Sequence, residues 1–185
     1  MSNNVFGNFV SSAPQSRQLP EGTHGVYVHS VEQTNSFLNG DGTEKADASP
    51  WSNPTRQVIA KFFCPERKEW HTHRFAMDSW RKGDSLTKAE LKSGKFEVAG
   101  RYAIVSATKE RIVDSEGVEK CMNIINEFFH ALRMEEGSSD ISEAIADKRL
   151  LTIKIVNKPY LDEEQLRITA FKQYKEPVEK EDFSG

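Results

Sequence analysis

The alternation of apolar and polar residues predicts a protein built mainly of β-strands. The alternation is clearest in residues 56–64 and 69–77, which are separated by a turn at 65–68. Successive side chains of a strand point to opposite faces, so each segment presents one apolar face and one mixed face. Two such segments joined by a short turn are typical of an antiparallel hairpin.

Three more segments are rich in Val, Ile and Tyr and read as strands, at residues 23–32, 150–157 and 166–174. Apolar residues recur at helical spacing in 118–134, which predicts the longest helix of the chain. Less regular segments predict a short helix at 87–92, a strand at 96–108, and a second short helix capped by Asp140 or Ser139.

This order predicts the fold class as mainly β (α+β): an OB-fold-like five-stranded barrel with a helical insertion before the last two strands. An OB barrel binds oligonucleotides on the face around its second and third strands. We expect one domain at residues 21–175, with a long loop at 33–54 that is rich in Asn, Gly, Asp, Ser and Pro. A flexible arm at 1–20 and an acidic, disordered tail at 176–185 are expected to flank it.

Composition gives no sign of a membrane or secreted protein. No run of about 18 apolar residues occurs, and the first residues lack the basic and apolar regions of a secretion signal. Cys64 and Cys121 are the only cysteines, too few for a disulfide framework. We therefore expect a cytoplasmic protein, in a bacterial host cell if it is phage-encoded.

The net charge of −3 hides a strongly uneven distribution of charge. Residues 55–111 carry 13 basic and 7 acidic side chains, or +6, and residues 148–175 carry 7 and 3, or +4. Residues 112–147 carry 2 and 9, or −7. Affinity for phosphate depends on the local density of Lys and Arg, so an acidic chain can still bind nucleic acid through its basic segments.

Aromatic and cationic side chains alternate in the basic hairpin region, as a single-strand binder requires: rings stack on bases and cations follow the backbone. Strand alternation puts Lys61, Phe63, Trp70 and Arg74 on the outward face, while Phe62 and Phe75 are predicted to be core. For Lys61 and Trp70 an ordinary structural role remains equally open. The candidate residues for binding single-stranded DNA are Arg56, Lys61, Phe63, Trp70, Arg74, Trp80, Arg81, Lys82, Lys154 and Tyr160.

The acidic C-terminus is a second candidate site. Glu179, Glu181 and Asp182 precede Phe183, an arrangement that could act as a peptide ligand for partner proteins or could simply be a solvated terminus.

No motif in the sequence indicates catalysis. Phosphate-binding, dinucleotide-binding, serine-hydrolase and zinc-protease signatures are missing from it. Cys64, Cys121, His71 and His73 could in principle bind zinc, but their spacing fits no standard finger. We therefore predict no enzyme activity, no cofactor and no metal.

The layout resembles phage single-stranded-DNA-binding proteins of the OB type. The resemblance lies in an LP-x-G start to the first strand, LPEGTHGVYVHSVE at 19–32, and in the late segments NIINEFFHALRM, ISEAIADKRLLTIKIVNKPY and LRITAFKQY. It covers residues 19–175 as a pattern, and the acidic tail of that family is similar to residues 176–185. Loop 33–54 and segment 78–113 depart from the family. The resemblance implies coating of single-stranded DNA without sequence preference during phage replication or recombination.

Three functions remain open at this point. The first is binding of single-stranded DNA, with RNA possible, with replication or recombination proteins as partners of the tail, and with a homo-oligomer possible. The second is a protein-interaction module or inhibitor of a host factor that uses the acidic stretch 112–147. The third is a small zinc enzyme using Cys64, His71 and His73.

Overall fold

The computed structural model describes residues 17–177, and five of its strands form one antiparallel sheet. The first strand, β1, pairs with a different strand along each of its edges, so the order across the sheet is β3-β2-β1-β6-β7. The five strands are β1 (Gly22–Asn35), β2 (Arg56–Cys64), β3 (Glu69–Ala76), β6 (Leu150–Asn157) and β7 (Leu166–Gln173).

The chain between β3 and β6 contains the helices of residues 17–177 and one small hairpin. After a 3₁₀ turn at Gly83–Ser85 it forms α1, the two-stranded hairpin β4–β5, and then α2 and α3. The Thr87 side chain accepts a hydrogen bond from the Glu90 N–H, and this capping box begins α1. The bounds are α1 (Lys88–Lys92), β4 (Phe96–Ala99), β5 (Tyr102–Val105), α2 (Ser115–Ala131) and α3 (Ser142–Ala146).

The hydrophobic core lies between one face of the five-stranded sheet and α2. Phe128 of α2 meets Phe62 edge-on at 5.7 Å between ring centroids and stacks on Phe75 at 5.0 Å. Phe62 is fully buried and Phe75 nearly so, as predicted for both. Burying each aromatic side chain of this kind stabilises the fold by roughly 1.5–3 kcal/mol.

The two edge strands approach each other without pairing. In residues 17–177 no backbone ladder joins β3 to β7. Their side chains do touch, because Phe75 and Phe171 stack with ring centroids 5.5 Å apart. The prediction of five antiparallel strands with a helical insertion is therefore confirmed, whereas the hydrogen-bonded closure of a barrel is not formed by the described residues.

Several predicted boundaries need correction. Residues 96–108 form two short strands instead of one, because Gly100 adopts φ +58° in the turn between Ala99 and Tyr102. Strand β1 extends to Asn35, so the long loop runs over residues 36–55.

Part of the predicted N-terminal arm is attached to the sheet. The Leu19 N–H donates to the Trp70 carbonyl, and the Trp70 N–H donates to the Arg17 carbonyl. Leu19 is fully buried in the core, which overcomes the tendency of a polar terminus to remain free. The folded unit therefore includes Arg17–Pro20, which the predicted arm of 1–20 had left out, and residues 1–16 lie outside the described residues.

None of the helices found between residues 17 and 177 is long and apolar enough to cross a lipid bilayer.

Candidate nucleic-acid interface

The sheet face opposite the core carries a row of aromatic side chains. Residues directly opposite in an antiparallel ladder point to the same face. Tyr27 of β1 lies opposite Phe63 of β2, and Phe63 lies opposite Trp70 of β3. The ring centroids are 5.5 Å apart for Tyr27 and Phe63 and 4.6 Å apart for Phe63 and Trp70. We call Tyr27, Phe63 and Trp70 the aromatic row; all three are half-buried.

Tyr174 extends this row at the other side of the sheet. A Cβ atom on Gly25 would lie 2.7 Å from the Tyr174 ring, so this ring covers the backbone of β1 at Gly25. Gly25 alternates with the buried Val26 and therefore faces the same side as the aromatic row. Only glycine leaves room for the ring there, which explains a Gly inside a long strand.

A bulge in β1 adds a further ring at the end of the row. The register with β2 shifts between Val28 and Ser30, and an extra residue in one strand bends it and redirects the local side chain. The redirected residue is His29, which is exposed and meets Trp70 edge-on at 4.9 Å.

Cations surround the aromatic row. Lys61 and Arg74 are exposed on the same face; Lys61 lies two residues from Phe63 along β2, and Arg74 lies four residues from Trp70 along β3. Lys154 of β6 lies opposite Thr23 of β1. The Lys148 ammonium lies 5.6 Å from the centre of the Tyr27 ring. Glu32 is the exposed acid of β1 on this face. The arrangement combines ring faces for bases with cations for phosphates.

Three of the predicted binding residues have side-chain partners within the protein. Arg56 donates to both carboxylate oxygens of Asp78, which reduces its charge available to a ligand. Arg81 pairs with Glu90 at 2.8 Å and also donates to Ser85. Trp80 donates its indole N–H to the Thr55 hydroxyl. A sequence scan for basic and aromatic residues does not detect such partners, since they come from segments 9 to 25 residues away.

The remaining predicted residues also lie apart from the aromatic row. Lys82 is exposed beside the 3₁₀ turn, and its backbone forms an isolated antiparallel bridge with Tyr102. Tyr160 is 61% exposed in the loop between β6 and β7. The tail residues Glu179 to Phe183 lie outside the described residues.

Burial and ion pairing shift the pKa values of two groups in this region in opposite directions, and the outcome differs between Asp78 and Arg111. Burial alone would raise the pKa of Asp78, but its hydrogen bonds and ion pair with Arg56 lower the pKa below the ordinary value. At Arg111, by contrast, burial lowers the pKa of the guanidinium.

Arg111 lies at the centre of an aromatic cage that the sequence does not reveal. Its guanidinium carbon is 4.5 Å from the Trp51 ring centre, 4.4 Å from Trp80 and 5.0 Å from Tyr102. The side chain is 5% exposed and donates to the Asn53 carbonyl at 2.6 Å. We call this group the Arg111 cage. Since Trp51 and Asn53 belong to loop 36–55, the cage attaches that loop to the segment after β3.

Replacing Arg111 by Met should therefore destabilise the protein by about 2 kcal/mol, because a buried cation–π contact and the hydrogen bond to Asn53 are both lost while the volume is kept. Urea unfolding followed by circular dichroism measures this. Arg101→Met is the matched control, since Arg101 is exposed and contacts only the Tyr102 ring of the cage. Equal stability of the two variants would contradict a stabilising role for the cage.

The histidines and cysteines considered as zinc ligands do not form a metal site. Cys64 and His71 are buried and His73 is half-buried, all on the core side of the sheet, while Cys121 belongs to α2. No group of three or more His, Cys, Asp or Glu side chains within residues 17–177 is placed to hold a metal ion. Burial, and secondarily His71, lowers the pKa of His73 to about 4.

Comparison of the sequence with known proteins does not assign the chain to a family. The sequence matches no protein-family model, and no curated protein is significantly similar to it.

Proposed function

We propose that this protein is a non-enzymatic binder of single-stranded nucleic acid that uses the outer face of its five-stranded sheet. The observation that carries the proposal is the aromatic row, in which Phe63 lies 5.5 Å from Tyr27 and 4.6 Å from Trp70 between ring centroids, with Lys61 and Arg74 exposed on the same sheet face. Contiguous rings beside cations can hold several unstacked bases while the cations contact the phosphates.

The strand arrangement supports an OB-type fold for this binder. An OB fold is a partly open barrel of five antiparallel strands, and it binds ligands on the face of strands two and three. Here the five strands are in a compatible order, the unpaired seam lies between the edge strands β3 and β7, and the aromatic row includes strands two and three. Loops 36–55 and 158–165 then correspond to the two loops that flank an OB ligand.

The particular protein we propose is a phage-type single-stranded-DNA-binding protein that protects DNA during replication or recombination in the cytoplasm of an infected bacterium. The sequence resemblance over residues 19–175 supports this assignment. The acidic tail with Glu179, Glu181, Asp182 and Phe183 would bind partner proteins of the same process. Base stacking does not discriminate strongly between bases, so no sequence preference is expected.

Binding to single-stranded DNA should weaken steeply with salt. Each phosphate contact lowers the slope of log K against log salt by about 0.7 for single strands, so three or four contacts give a slope of about −2 to −3. Fluorescence anisotropy with labelled oligo-dT at several salt concentrations measures this slope. Single-stranded RNA and duplex DNA of equal length serve as comparison ligands.

The proposal predicts tighter binding of single strands than of duplex, because paired bases cannot stack on the aromatic row. Failure to bind oligo-dT at low salt would refute it. Tighter binding of RNA would retain the interface and change the biological role.

The second candidate function is a protein-interaction module. The acidic helix α2 supports it, because Met122 and Ile124 are 40% and 46% exposed there near Glu119 and Glu127. Exposed apolar side chains rimmed by charges are typical of protein-binding surfaces. Pull-down of a host protein that depends on Met122 and Ile124, without oligonucleotide binding, would favour this function.

A further inference from the structure

Loop 36–55 forms a pocket at one end of the outer sheet face. The pocket has a volume of about 360 Å³, and its walls include Asn35, Asn39 and Lys45 from β1 and the loop. Gln57 of β2 and Arg74 of β3 complete it from the sheet. Since Gln57 is separated from Lys61 and Phe63 by even numbers of residues along β2, it lies on the same face as the aromatic row.

The chemistry of the pocket suits an anion. Lys45 and Arg74 give it two positive charges, and no carboxylate is among the described residues that line it. The Arg74 guanidinium donates to the Gln57 side-chain oxygen at 3.1 Å, which orients the fork and leaves further N–H groups to donate. Lys45 is exposed, and its ammonium has three N–H donors. A phosphate oxygen is the acceptor that such donors bind best.

The pocket lies on the same sheet face as the aromatic row, farther along β2. From Phe63 to Gln57 the path along β2 spans six residues, or about 20 Å, with Lys61 between them. A strand whose bases stack on Phe63 and Trp70 can therefore extend along β2 until its backbone reaches Lys45 and Arg74.

The loop is held in place before any ligand arrives. Within it the Lys45 N–H donates to the Phe37 carbonyl at 2.8 Å, and the Asn39 amide donates to Thr43. Its second half is attached by Ser52, which donates to the Lys109 carbonyl, and by the Arg111 cage. A preformed pocket loses less conformational entropy on binding than a loop that must first become ordered.

We propose that this pocket binds a phosphate group of the single strand that lies on the aromatic row, and that loop 36–55 and segment 78–113 hold the pocket open for it. This inference rests on the proposed function, because the phosphate comes from the same bound strand. It gives a role to the two segments that depart from the resembling family.

The test compares variants of the full-length chain by anisotropy with labelled oligo-dT over a salt series. Lys45→Ala should weaken binding about three- to tenfold and make the salt slope shallower by about 0.7, the value for one lost phosphate contact. Lys45→Arg should retain both affinity and slope. Lys92→Ala, which removes an exposed lysine of α1 away from the sheet face, is the matched control and should equal wild type.

A second measurement tests for the phosphate group itself. Replacing chloride by inorganic phosphate at constant ionic strength should weaken oligo-dT binding by the wild type more than by Lys45→Ala, because only the intact pocket offers phosphate a site. An equal loss in both would count against a phosphate pocket.

The outcomes separate the two proposals. If the wild type binds oligo-dT and Lys45→Ala has the same affinity and slope, the pocket inference is wrong and the proposed function stands. If the wild type does not bind oligo-dT, both are wrong. Thermal melting of each variant checks the fold, and the Lys45 N–H that holds the loop remains in Lys45→Ala.

Discussion

The double variant Trp70→Ala with Lys61→Ala should bind oligo-dT ten- to a hundredfold more weakly than the wild type. Loss of one stacked base costs about 1–3 kcal/mol, and loss of one phosphate contact adds to it. Trp70 contacts Phe63 and His29 on the outer face, so its removal also shortens the aromatic row and separates His29 from it. The effect on binding should therefore exceed that of either single substitution.

The fold should survive this double substitution. Trp70 attaches the N-terminal segment through its backbone N–H and carbonyl, which the alanine variant keeps. Lys61 is exposed and lies opposite Ser30 and Thr72, so it contributes no core packing. A small loss of stability, about 1 kcal/mol, is expected from the broken ring contacts alone.

A matched control removes a cation and a large exposed apolar side chain from a different surface. Lys120→Ala with Met122→Ala changes α2, and it should leave oligo-dT affinity unchanged. Kd values from anisotropy at one salt concentration, with melting temperatures for each variant, are sufficient. If the control weakens binding as much as the double variant does, the outer sheet face is the wrong surface.

The face to which each hairpin side chain points was predictable from the sequence. Side chains alternate between the two faces with a period of two residues, and the short turn between β2 and β3 fixes how the strands pair. Phe62 and Phe75 are buried as predicted, and Lys61, Phe63, Trp70 and Arg74 share the opposite face. Burial of one face fixes the register, since a slip by one residue would expose Phe62.

The same reasoning did not find Tyr27 and Tyr174 as members of the outer face. Tyr27 alternates with Val26 and Val28, so its face was recoverable from the sequence once β1 was paired with β2. Tyr174 was not recoverable, because it follows the last residue of β7 and its place depends on the space above Gly25.

The Arg111 cage lay beyond sequence reasoning for a different reason. Its rings come from residues 51, 80 and 102, on a loop, a connection and a short strand that no pattern places together. Charge counting treats Arg56, Arg81 and Arg111 alike as basic residues. In the structure they differ, because Arg56 pairs with Asp78, Arg81 pairs with Glu90, and Arg111 is buried among aromatic rings. Counting charges would include all three as available for phosphate.

Acid should destabilise the protein through His73, which lies near the unpaired seam of the sheet. Its ring is 4.5 Å from Phe75 on the same strand and 5.6 Å from Phe171 of β7. Burial, and secondarily His71, lowers its pKa from 6.5 to about 4. Between these values the unfolded chain binds a proton that the folded chain does not, so falling pH favours unfolding.

The contribution of His73 is fully favourable to the fold above about pH 7 and is lost progressively as the pH falls from about 6.5 to about 4. At pH 4 the loss should reach about 3 kcal/mol, at 1.36 kcal/mol for each unit of pKa difference. Urea unfolding of the wild type and His73→Leu at pH 7 and pH 4 measures it.

Carboxylates that titrate in the same range contribute equally to both proteins, so the difference between the two pH dependences isolates His73. His71 also has a lowered pKa through burial and remains in the variant, so a smaller dependence should persist. Parallel pH profiles of wild type and His73→Leu would show that His73 becomes protonated in the folded protein at no cost to the fold, which its position between two phenylalanine rings argues against.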